Sequence, residues 1–152
     1  MSLRSIPALL AIALVLVPAT GAVGGRDPFG QDRAALEEPW FGTWDSGAFI
    51  YKAEMHLSVT EDNQVEGRIE WTLERSPNPD DAPKIGLQGT EFVAGAYQPG
   101  PRLLSLEGYN KDDPNGILGL DTYRLLLSEN REVLGGITAN HGKWTATFLA
   151  TH

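Results

Sequence analysis

The chain has 152 residues and no cysteine, and its 12 Lys and Arg against 20 Asp and Glu give a formal charge of −8. That length sustains one hydrophobic core. The acid excess excludes a nucleic-acid binder that tracks phosphates with a basic face, and the absence of cysteine excludes disulfides, thiolate nucleophiles, thiolate zinc sites and a lipoprotein anchor.

Arg4 precedes an unbroken apolar run over residues 6–17, and small residues follow it. This is the order of a secretory signal peptide, with cleavage expected after Ala19 (Val-Pro-Ala) or Ala22 (Thr-Gly-Ala). The run is shorter than the roughly 20 residues of a spanning helix, so no membrane insertion is expected once residues 1–22 are removed. The expected location is outside the cytoplasm, secreted or periplasmic, and the lack of cysteine favours a bacterial source. Residues 23–38 form a polar leader with a short helix expected over residues 32–38, capped by Asp32 and favoured by Ala34, Ala35 and Leu36. The leader lies across one end of the domain or hangs as a flexible tail.

From residue 39 to the end the hydrophobic pattern has period two. Tyr51, Ala53, Met55, Leu57 and Val59 alternate with polar neighbours, as do Val65, Gly67, Ile69, Trp71 and Leu73. Each run reads as a strand with one buried and one wet face. Further strands are expected near residues 40–45, 85–97, 103–109, 117–128, 133–140 and 143–151. Short breaks at residues 61–63, 98–102, 129–132 and 140–142 serve as hairpin links. About eight antiparallel strands in a meander close into an all-β, up-and-down barrel, which leaves no edges. An open sandwich has the same strand count and stays open as an alternative. Glycines within strands, among them Gly67, Gly95, Gly108 and Gly136, suit strands that bend at barrel corners.

Successive links of such a barrel fall at opposite ends. The tight links at residues 61–63, 98–102 and 129–132 therefore share a closed end. The other end carries residues 46–49, 75–84, 110–116 and 140–142, mostly longer loops. An eight-stranded barrel holds one small ligand at such a mouth or fills its lumen with side chains.

The sequence Phe41-Gly42-Thr43-Trp44 at the head of an eight-strand meander resembles the Gly-x-Trp start of the calycins, the lipocalin, fatty-acid-binding-protein and avidin group. The resemblance implies a lipocalin-like barrel over about residues 39–152, a role in binding small or apolar ligands, and a Trp packed across the closed end. Asp121-Thr122-Tyr123 is a scrambled version of the lipocalin Thr-Asp-Tyr element at the wrong end, and it is not carried over. No set of biotin-contacting polar residues is evident.

At the mouth the candidate ligand-binding residues are Tyr51, Trp71, Glu91, Asp121, Tyr123, His141 and Trp144. Glu91 shares a face with Val93 and Tyr97, so an inward Val93 makes Glu91 a carboxylate in the lumen with a raised pKa. Asp121 sits on the apolar face of Tyr123, Leu125 and Leu127. Aromatic faces with few polar groups suit a sugar, an amphiphile or a flat heterocycle. The same residues also read as core, with the two acids in structural polar pairs.

No catalytic residue, metal site or cofactor is assigned. The nucleophile signatures G-x-S-x-G and S-x-x-K and the P-loop are absent. An EF-hand frame set on Gly116 fails, because Lys111 falls at its first ligand position and Thr122 at its twelfth, where carboxylates are required. The leading functional reading is a secreted barrel that takes a small apolar or aromatic ligand. A filled barrel acting as inhibitor or adaptor for another exported protein is the alternative, and a small enzyme using Glu91 and Asp121 is the third reading.

Overall fold

Side chains that alternate in sequence alternate in space. The computed structural model describes residues 29–140 and 144–152, with residue 144 described by its backbone alone. The strands are β1 (Trp40–Asp45), β2 (Ile50–Val59), β3 (Gln64–Arg75), β4 (Gln88–Gln98), β5 (Leu103–Asp112), β6 (Thr122–Leu127), β7 (Val133–Asn140) and β8 (Trp144–Thr151). They pair antiparallel in chain order and form a closed barrel. Closure is made by β1 against β8, from Phe41 opposite Thr151 to Asp45 opposite Thr147, so no edge strand remains to recruit another chain. The open sandwich is thereby ruled out. The expected signal peptide at residues 1–22, the first part of the leader and His141 lie outside the described residues.

On β3 the buried set is Val65, Ile69, Trp71 and Leu73, while Glu66, Arg68 and Glu70 are exposed. The inward side chains of all eight strands meet in one cluster that fills the closed half of the barrel, with Trp40, Met55, Val93, Leu104, Leu125 and Leu134 fully buried. Gly95 shows what the strand glycines permit. A Cβ there would lie 1.9 Å from the Ser105 carbonyl oxygen, so only glycine lets β4 and β5 approach and coil this closely.

The links at residues 60–63, 99–102 and 128–132 gather at one end, and each holds a left-handed residue, respectively Asn63 (φ 63), Arg102 (φ 55) and Arg131 (φ 65). Helix α1 (Gly30–Glu37) lies across this end. It buries Leu36 completely, and Glu37 Oε1 accepts the Val59 amide at 3.0 Å. Asp32 was expected as the helix cap but serves another purpose. The N-cap is Phe29, without a side-chain cap bond, and Asp32 turns inward. Only 2 % exposed, its carboxylate accepts from the Tyr97 hydroxyl at 2.8 Å and Arg131 Nε at 2.7 Å, with Arg102 Nη2 at 3.7 Å. The leader's helix is thus fastened to the barrel.

Three boundaries depart from the sequence pattern. Residues 79–84 form a 3₁₀ helix, η1 (Pro79–Lys84), and β4 starts at Gln88 rather than residue 85. Strand β5 runs on to Asp112 because residues 110–112 find partners in Thr90–Phe92 of β4. Strand β6 starts only at Thr122; residues 117–121 alternate as a strand does but fold over the mouth as a loop. The closed end also departs from the calycin resemblance. Trp40, not Trp44, packs there, fully buried and with its ring centroid 3.8 Å from that of His152.

Replacing Asp32 by Ala leaves the Tyr97 hydroxyl buried without an acceptor and releases both arginines. The expected loss is about 1–3 kcal/mol of unfolding free energy, measured by urea denaturation. A variant as stable as the parent would show that the helix is not fastened through this carboxylate.

Candidate functional site

The mouth opens onto a cavity of about 320 Å³. Its walls include Trp44, Tyr51, Trp71, Leu73, Glu91 and Tyr123 from the strands, Ile117, Leu118 and Asp121 from the loop after β5, and Asp81 and Lys84 from η1. The barrel is therefore filled below and open above.

Rings run around the cavity edge to face. Trp44 and Tyr51 have centroids 5.5 Å apart, Tyr51 and Trp71 6.1 Å, and Trp71 and Phe148 6.1 Å, all near perpendicular. The register that closes the barrel puts Trp44 here. It is the second-last residue of β1, opposite Tyr51 of β2 near the open end. Its indole Nε1 donates to Asp121 Oδ2 at 2.9 Å and to Thr138 Oγ1 at 2.6 Å.

Glu91 is the most deeply placed polar group, 2 % exposed on the inward face of β4. Its Oε1 accepts the Asp121 amide at 2.8 Å, and its Oε2 accepts Trp71 Nε1 at 3.1 Å and the Tyr123 hydroxyl at 2.5 Å. To reach Asp121 the carboxylate crosses β5 at Gly108, where a Cβ would stand 1.9 Å from Oε1. The Gly108 amide in turn donates to the Asp121 carbonyl at 2.8 Å. Gly108 is thus the absent side chain that Glu91 occupies.

Burial pushes the Glu91 carboxyl up. Donation from Tyr123 and the Asp121 amide pulls it back, the Asp121 carboxylate pushes it up again, Trp71 lowers it, and the balance falls at about 7. Burial pushes the Tyr51 hydroxyl up to about 12, aided by the charges of Asp81, Asp113 and Asp121. Tyr123 is likewise raised by burial and by Glu91, so both phenols stay protonated at neutral pH.

The loop of residues 113–121 is fixed over the mouth. Burial alone would raise Asp113, but the amides of Ile117 (2.9 Å) and Leu118 (2.8 Å) and the Lys111 ammonium (3.2 Å) outweigh it and hold the carboxylate below its usual range. The Tyr51 hydroxyl donates to the Ile117 carbonyl at 2.6 Å, and Asn115 donates to the Gln88 carbonyl at 2.9 Å. Lys84 bridges the rim, pairing with Asp81 at 3.2 Å and donating to the Gly116 carbonyl at 3.3 Å.

Of the residues singled out in the sequence, Tyr51, Trp71, Glu91, Asp121 and Tyr123 line this one cavity. Trp144 begins β8 at the same end by its backbone. Glu91 and Asp121 both line the cavity, yet their carboxylates accept from different side chains, Trp71 and Tyr123 for Glu91 and the Trp44 indole for Asp121. Sequence reasoning did not place Thr138 or Leu118 at the site, took Gly108 only as a strand glycine, and by resemblance put Trp44 at the closed end. The position of Trp44 was available from counting, since a strand that enters at the closed end carries its fifth residue to the open one. Among the described residues no group of three or more His, Asp or Glu is placed to hold a metal ion. Compared with known proteins, the chain matches no family model, no curated protein and no solved structure.

Glu91 binds its proton more tightly folded, at about 7, than at its ordinary 4.5. The folded state therefore holds the extra proton between these values, and stability contributed by this group is full below about pH 4.5 and lost as pH rises through 7. Urea unfolding across this window should show a decline attributable to Glu91 on the order of 3 kcal/mol. Glu91→Gln should flatten that slope, whatever its effect on absolute stability. Parallel slopes for parent and variant would place the Glu91 titration outside this window.

Proposed function

We propose that the protein is an exported barrel that holds a compact small molecule in its open mouth. The observation that carries the reading is the cavity of about 320 Å³ standing above a fully packed lower half. Tight packing is the rule in protein interiors, and a space this large, walled by rings and a few oriented polar groups, is how ligand sites are built. Its volume lies at the lower end of the ligand-pocket range of about 300–1,000 Å³, which suits a compact ligand over a long acyl chain.

The tied loop of residues 113–121 supports the same reading. Asp113, Lys111, Tyr51 and Asn115 hold it in place, so a ligand meets a preformed wall and little ordering opposes binding. Export is supported by the charged, apolar and small-residue order of residues 1–22. The barrel architecture agrees with kinship to the calycins, in which reading Trp40 occupies the closed-end position and Trp44 has become part of the site.

The test is native mass spectrometry of the chain exported through its own leader and never denatured, followed by affinity measurement with the ligand so weighed. A discrete added mass lost on gentle activation is expected. Tyr51→Ala removes a ring of the wall and the bond to Ile117, and should weaken that ligand at least about ten-fold while the barrel stays folded. Unchanged affinity in a folded Tyr51→Ala variant would remove the ligand from this cavity.

A further inference from the structure

We propose that the ligand is a compact organic ammonium ion and that Glu91 is its counter-ion. The proposal rests on the reading of the cavity as a ligand site and adds the chemical class.

Two carboxylates are equally buried in this barrel, and they are satisfied in opposite ways. Asp32 at the closed end is matched by cations, Arg131 at 2.7 Å and Arg102 at 3.7 Å. Glu91 at the open end is matched by an indole, a phenol and a backbone amide, all neutral. Among the described residues no Lys, Arg or His forms an ion pair with it. A carboxylate offers about four acceptor positions, and three donors leave one, on Oε1. Among the described residues the one ammonium in the wall is Lys84, already engaged by Asp81 and the Gly116 carbonyl at the rim.

A charge taken out of water without a counter-charge is costly, and proteins pair such groups or let them neutralise. Here the group faces a cavity instead of packed side chains. A cation entering that cavity supplies the missing charge, meets the remaining acceptor position, and lays its apolar body against Trp44, Tyr51 and Trp71, whose electron-rich rings favour cations. An anion would face Glu91, Asp81 and Asp121 together. The chain's net charge of −8 steers cations to the surface and repels anions.

The experiment titrates the folded protein at pH 7.5 with three probes of one shape: benzylammonium, benzyl alcohol and benzoate. The readout is the indole N–H resonances of Trp44 and Trp71, which lie in the cavity wall. Saturable shifts with benzylammonium, at least about ten-fold weaker binding of benzyl alcohol and none of benzoate are expected. Glu91→Gln should abolish the preference of ammonium over alcohol. Where that variant fails to fold, the pH series on the parent protein decides. Binding of benzylammonium requires ionised Glu91 and should weaken at least about ten-fold from pH 8 to 5.5, whereas benzyl alcohol should not respond. Among the described residues the groups around Glu91 are the Tyr123 and Tyr51 hydroxyls, raised out of this range, the Asp121 carboxylate, and Lys111 opposite it in the β4–β5 register, whose ammonium is held by Asp113 and the Leu118 carbonyl, with Asp81 and Lys84 at the rim. Equal binding of ammonium and alcohol would overturn the cation and leave the ligand site standing. An ammonium preference that survives both Glu91→Gln and low pH would overturn Glu91 as counter-ion. If none of the three probes moves either indole, the proposal and the site reading both fall.

Discussion

The open half of this barrel is organised around one buried carboxylate. Glu91 ties β4 to β3 through Trp71 and to β6 through Tyr123, and reaches over β5 to the Asp121 amide. Three consecutive strand pairings are thereby bridged from inside the lumen. Each bridge sets a neighbour: the Trp71 ring is fixed edge-on to Tyr51, and the backbone at Asp121 is held where its carboxylate takes the Trp44 indole. Polar networks in a low-dielectric interior fix geometry strongly when every member is satisfied. Gly108 is what admits this arrangement, because any side chain there would occupy the space of Oε1.

The two ends of the barrel answer different physical demands. At the closed end Arg102 and Arg131 both sit in the left-handed region, where a non-glycine residue costs roughly 1–2 kcal/mol. Glycine would adopt those turns more easily, but glycine has no guanidinium to meet Asp32. The strain accompanies a complete charge match, and together with Leu36 and Trp40 it seals that end. At the open end the backbone irregularity goes elsewhere. A bulge between Phe92 and Val93 and the folded-over loop of residues 113–121 shape a space rather than close one.

How much of this the sequence discloses depends on whether the determining contact is local. Alternation at Val65, Ile69, Trp71 and Leu73 is local, so strand identity, inward face and strand order followed from it. Parity ties Glu91 to Val93, but which face of that strand points inward is not local information, and only the structure puts both inside. The role of Asp32 depends on Arg131, 99 residues away, and a short polar residue at the start of a helix reads as a cap until that partner is known. Residues 117–121 alternate like a strand, yet their fate is decided by Asp113, whose carboxylate captures the Ile117 and Leu118 amides that a strand partner would need. Gly108 looked like the other strand glycines. Its neighbour is a side chain from the adjacent strand, whereas that of Gly95 is backbone, and no local pattern separates the two.

The barrel keeps its packed core and its cavity in different halves. The closed half holds the fully buried Trp40, Met55, Leu104 and Leu134 together with the charge match at Asp32. The mouth can then carry a carboxylate titrating near neutrality, a group that by itself lowers stability as pH rises. In a chain with a single fully packed core such a group would be replaced by an apolar side chain at little loss. Its retention beside a preformed cavity makes sense where another molecule completes its environment, because a bound counter-charge turns the destabilising ionised state into the favoured one. On the proposed reading, a cation bound in the mouth adds to the stability that the closed half already supplies.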